Sequence, residues 1–112
     1  MSEFILLFRQ SAEERDAMSP VELEAITKRW QAWVGGLAAR GRLAGQGTRL
    51  DTEGKVLRSD GLITDGPFVE IKERLGSFLI VNAHSLEEAV ALAHGCPVLA
   101  GQGSVEIRPV LT

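Results

Sequence analysis

The sequence predicts an α+β fold, the ferredoxin-like split βαβ arrangement: a four-stranded antiparallel sheet with two helices on one face, dimerising as an αβ barrel. Three observations carry this. The pattern segments run strand, helix, strand with hairpin, strand, helix, strand. Two of the strands, near residues 3–9 and 77–83, are apolar on both alternations, so each expects burial on two sides. Two helices cover only one face of such a sheet, and no further segment is left for the other, which a second copy of the chain would then cover.

At 112 residues the chain is the size of one domain, and 1–112 is read as a single unit. Hydrophobic residues make up 45% and charged residues 24%, with a net charge of -3. That balance gives no electrostatic reason to approach nucleic acid or an anionic membrane. Arg9 ends the first apolar run too early for a signal peptide or a membrane span. The single cysteine, Cys96, has no partner for an internal disulfide and suits a reducing compartment, so a cytoplasmic location is expected.

In the first strand, Glu3 to Arg9, Ile5 and Leu7 point one way and Phe4, Leu6 and Phe8 the other. The polar stretch from Gln10 to Met18 reads as a connection with at most a helical turn. Ser19, Pro20 and Glu22 together write a helix start: an N-cap, a first-position proline and the far member of a capping box. The helix should run to about Arg40 with Gly41 behind it. Leu23, Ile26, Trp30, Trp33 and Leu37 form its apolar stripe. Gly35-Gly36 interrupts that helix and is tolerable where the backbone approaches a neighbour.

Leu43 to Leu50 reads as a weakly patterned strand, followed by a turn at Asp51–Gly54, a short hairpin arm at Lys55–Arg58 and a second turn at Ser59–Gly61. In the strand from Ser77 to Ala83, Phe78 and Ile80 share one face, Leu79 and Val81 the other. Ser85 and Glu88 open a second helix that should bury Leu86, Ala89, Val90 and Ala93 and stop at Gly95 with Pro97 beyond. The last strand, Ser104 to Val110, sets Val105 and Ile107 against Ser104, Glu106 and Arg108.

The residues richest in chemistry lie between Thr64 and Gly76. Asp65-Gly66-Pro67-Phe68 is a turn by composition, with Phe68 as an apolar anchor; as a site, it would hold Asp65 at a cleft as base or hydrogen-bond acceptor. Glu70 and Lys72 then share one face of an extended segment, as an ion pair or as polar ligand contacts. His84 precedes an N-cap, where the helix dipole favours the neutral imidazole a general base needs, although a capping or surface role suits it as well. His94 suits bonding to terminal carbonyls at the other end of that helix. Cys96, at a helix C-terminus, is poorly placed to become a thiolate nucleophile. Arg108 would pair with an acid or anchor an anionic substrate. Trp30 and Trp33 are read as core or dimer packing. Gly45-Gln-Gly47 lacks the third glycine of a dinucleotide loop, and no ligand spacing suggests zinc or calcium, so neither metal nor cofactor is expected.

Thr64-Asp65-Gly66-Pro67-Phe68 with Glu70 and Lys72-Glu73, Gly76 opening a strand, Ser85–Ala89 opening a helix, Gly95-Cys96-Pro97 closing it and Ser104–Pro109 at the end resemble the YCII-related proteins of the DGPF-domain branch. The resemblance covers almost the whole chain. It implies a ferredoxin-like fold and an αβ-barrel homodimer, with a His-Asp pair proposed for catalysis in some members. In those relatives the histidine lies on the first helix, and Ser19–Arg40 contains none. The functional expectation is a small polar organic ligand held near the Asp-Gly-Pro-Phe turn, with cofactor-free acid–base chemistry by Asp65 and His84 and contacts from Phe68, Glu70, Lys72 and Arg108. The alternative is a non-catalytic regulatory or interaction module in which the turn is structural.

Overall fold

The structure is a computed structural model that describes residues 1–45, 47–51, 53–65 and 73–111, and of Ala12, Asp65, Glu73 and Arg74 the backbone alone. Its elements are β1 (Ser2–Ser11), α1 (Ala12–Asp16), α2 (Pro20–Ala39), β2 (Thr48–Arg49), β3 (Lys55–Leu57), β4 (Ile63–Asp65), β5 (Glu73–Ala83), α3 (Leu86–Ala93) and β6 (Ser104–Pro109), with a 3-10 turn at Pro97–Ala100. Four strands form one antiparallel sheet in the order β2-β5-β1-β6, and β3 and β4 form a separate hairpin.

The doubly apolar strands lie at the centre of the sheet, as their pattern requires. Phe4, Leu6 and Phe8 of β1 align with Val81, Leu79 and Ser77 of β5, and Leu6 and Phe8 also align with Ile107 and Val105 of β6. This face carries the core, closed by Leu37 of α2, Ala89 and Ala93 of α3, and Cys96 and Val98 beyond them. On the other face Ile5 and Leu7 lie beside Ile80 and Phe78; all four are half-buried. No helix crosses them among the described residues. The molecule is accordingly flat, 43 × 40 × 20 Å, a thickness that one sheet and one helical layer fill. Its radius of gyration of 15.3 Å exceeds the roughly 13 Å of a compact domain this size.

Local signals explain the helix ends. At α2, Ser19 Oγ accepts from the Glu22 amide at 3.2 Å while the Ser19 amide donates back to Glu22 Oε1 at 3.4 Å. Gly41, at φ +69°, takes the left-handed conformation that ends the helix. At α3, Ser85 Oγ accepts from the Glu88 amide at 3.1 Å, but the Glu88 carboxylate pairs with Arg42.

Several expectations need correction. Leu86 and Val90 are exposed: α3 approaches the sheet on the small side chains Ala89 and Ala93, and those two larger residues flank that contact. Gly35 and Gly36 face open space, so no close neighbour accounts for them. Residues 43–50 form an interrupted edge: Leu43 makes an isolated bridge to Val81, and pairing resumes only at Thr48 and Arg49. A Cβ on Gly47 would lie 2.6 Å from Leu79 Cδ1 and 2.7 Å from the Phe78 carbonyl oxygen, which is the close approach that glycine permits there. Gly76 lies inside a strand that begins at Glu73. Phe8 pairs with Ser77 and Arg9 with Leu75, leaving Gly76 as the bulge residue, and its carbonyl accepts from the Leu50 amide at 2.8 Å.

Candidate functional site

A concavity lies where α2 packs over the sheet. The Trp pair decides its shape. Phe8, Trp30 and Trp33 meet edge-to-face, with ring centroids 4.9, 5.8 and 5.6 Å apart. Trp33 is locked by donating its indole N–H to the Leu92 carbonyl at 3.2 Å. Beyond this cluster the N-terminal half of α2 and the β2–β5 edge border a half-open cavity of about 840 Å³, within the size range of small-molecule sites. Leu23, Ile26, Trp30 and Val34 form its helical wall; Phe8, Leu79 and Val98 form its floor.

The polar groups around it are few. Gln10, Thr27, Gln31 and Ser77 supply neutral donors and acceptors, and Arg15 and Arg49 are the ionisable side chains among the described lining residues. Arg49 pairs in register with Ser77, which places it on the helix side of the sheet. Arg15 reaches the same space from α1, held there by Ser11, whose hydroxyl accepts from the Glu14 amide at 3.4 Å. Composition alone singled out neither arginine. Each stands in a weakly patterned polar stretch and marks itself only once the fold brings those stretches together.

The residues expected from the sequence are spread out. Phe68, Glu70 and Lys72 lie outside the described residues, and Asp65 is placed by its backbone alone, opposite Lys55 in the hairpin. The segment that contains them joins β4 to the start of β5, and Gly76 at the cavity's edge follows four residues after Lys72. His84 is exposed just past Ala83, at the opposite end of β5 from Glu73. Arg108 is exposed on the open sheet face, 3.9 Å from Glu106, which also pairs with Arg9 at 2.8 Å. Neither His84 nor Arg108 lines the cavity.

Cys96 is buried, and that burial pushes its thiol above the ordinary value of 9.0, with nearby backbone hydrogen bonds opposing weakly. A thiol so placed is a packing residue. No described helix is long and apolar enough to cross a membrane.

A four-stranded antiparallel sheet with its helices on one face and a cavity beneath the longest helix defines a small α+β domain. The model of the YCII-related domain family matches residues 4–112, and the chain belongs to that family. No curated protein matches the sequence.

Proposed function

We propose that this chain, in the DGPF branch of its family, is a cytoplasmic small-molecule-binding protein that works as a homodimer of ferredoxin-like subunits. The cavity beneath α2 carries the reading. It combines a size suited to an organic ligand with an apolar wall and a handful of convergent polar groups. In this reading the segment from Asp65 to Lys72, which precedes β5 in the chain, completes the site. Asp65 is its acceptor or base, Phe68 and Glu70 are ligand contacts, and Lys72 is an electrostatic anchor, while Arg108, on the open sheet face, falls outside this site. His84, at the far end of β5, does not reach this cavity, so any cofactor-free acid–base chemistry there falls to Asp65. The lining shifts the expected ligand from a simply polar molecule to one with a substantial apolar body.

The test is native mass spectrometry of the purified protein together with Asp65→Asn. A retained organic ligand whose occupancy falls in the variant, with the fold intact, supports the proposal; an empty protein, or loss of folding in Asp65→Asn, sinks the assignment of that residue to a site. A second reading has its own observation. Leu57, Leu62 and Ile63 of the hairpin are 70%, 56% and 58% exposed, on a ribbon that stands apart from the larger sheet among the described residues. Apolar surface of that kind suits an interaction module, and persistent capture of a protein with no small ligand would favour it.

A further inference from the structure

Within the cavity just described, and resting on its being a ligand site, we infer that the ligand is an anion with an apolar body: a carboxylate on an aromatic or branched hydrocarbon scaffold, bound through Arg15 and Arg49. The charge pattern points there. The chain holds 15 acids against 12 bases, yet the described lining contains two arginines and no acid.

The partners of the arginines sharpen the point. Arg9, Arg42 and Arg108 each lie within ion-pair reach of a carboxylate, on Glu106, Glu88 and Glu106 respectively. Arg15 and Arg49 make no side-chain ion pair or hydrogen bond among the described residues. Both guanidinium groups border one concavity, are open to solvent and have no partner among the described residues, which leaves their donors free for an anion. The planar guanidinium fork matches a carboxylate in two parallel hydrogen bonds. Trp30, Ile26 and Leu79 face the same space and offer hydrocarbon to the rest of the molecule. A small inorganic anion would leave that wall unused, and a neutral hydrocarbon would leave both charges unanswered.

The probes are 2-naphthoate and its neutral isostere 2-naphthamide, titrated by calorimetry into the full chain, into Arg15→Gln/Arg49→Gln and into Ile26→Trp, which fills the cavity. Each variant is first checked by circular dichroism and thermal melting against the parent. The naphthoate should bind the parent about tenfold or more tightly than the amide, the increment of a charge-assisted hydrogen bond. The double arginine variant should bring naphthoate down to the level of the amide without changing the amide, and Ile26→Trp should weaken both. Added salt should weaken only the naphthoate. Equal binding of the two probes to the parent, with both lost in Ile26→Trp, would overturn the anion assignment and leave the cavity as a binding site. Failure of both probes, or binding indifferent to Ile26→Trp, would remove the cavity reading and this inference with it.

Discussion

Leu6 and Leu7 are adjacent on β1 and point to opposite faces of the sheet, so truncating each in turn separates the core from whatever covers the open face. Leu6 is fully buried, 0% exposed, between Leu79 and Ile107. Leu6→Ala should cost about 2–5 kcal/mol, the sum of lost transfer energy and an unfilled cavity. Leu7 is half-buried beside Phe78 and Glu106, with no helix above it among the described residues. If that face meets only water, Leu7→Ala forfeits part of the transfer term, about 1 kcal/mol. If a second protomer's sheet lies on it, the truncation removes buried surface from both copies and approaches the cost of Leu6→Ala. The assay is urea unfolding of both variants and the parent at 2 and 200 micromolar, chosen as roughly a hundredfold span. For a dimer that unfolds to monomers, that span shifts apparent stability by about 2.7 kcal/mol. Homodimerisation predicts a concentration-dependent midpoint for the parent, strongly reduced stability for Leu7→Ala, and a monomeric Leu7→Glu. Midpoints independent of concentration, with Leu7→Ala near 1 kcal/mol, would refute face-to-face packing and leave the open face to another partner or to solvent.

Two further predictions concern residues the fold constrains tightly. A Cβ at Gly103 would lie 2.2 Å from Val98 Cγ2 and 2.7 Å from the Arg9 carbonyl oxygen, so Gly103→Ala forces the start of β6 away from β1 and should cost about 1–3 kcal/mol in thermal unfolding; an unchanged Tm would mean this turn yields freely. Because burial raises the Cys96 thiol, the folded state holds its proton at pH values where the unfolded chain has lost it. Its contribution to stability is therefore complete below the ordinary value of 9.0 and declines as the pH rises from there through the folded-state value. Stability of the parent should fall faster than that of Cys96→Ala above pH 9, and thiol labelling of the native protein should be slow until urea opens it; rapid native labelling at pH 8 would contradict the burial.

What was legible in the sequence was local or strictly periodic. Ser19-Pro20 with Glu22 fixes a helix start within four residues, and the alternation of Phe4 to Phe8 determines both strand and facing, because each signal depends only on near neighbours. Legibility fails where a long-range contact chooses between local options. The edge from Leu43 to Arg49 is set by where β5 offers free backbone groups and by the close pass of Gly47 over Leu79, neither of which a weak eight-residue pattern encodes. Leu86 and Val90 carry the right spacing for a buried stripe, yet the distance at which α3 packs selects the alanines.

The same logic explains why the Asp-Gly-Pro-Phe stretch stands out in the sequence and the two arginines do not. A turn motif concentrates acid, base and aromatic residues in consecutive positions, so it stands out in a linear reading whether or not it meets a ligand. Arg15 and Arg49 are 34 positions apart, in stretches of low pattern, and resemble Arg29 or Arg58 until α1 and β2 deliver them to one cavity. A site assembled from several elements, as proposed for this cavity, has no linear signature; what marks it is two arginines without partners among the described residues in one concavity of a net-negative chain. On that criterion the proposed site is sought first in the cavity under α2, where Arg15 and Arg49 meet, and not in the motif alone.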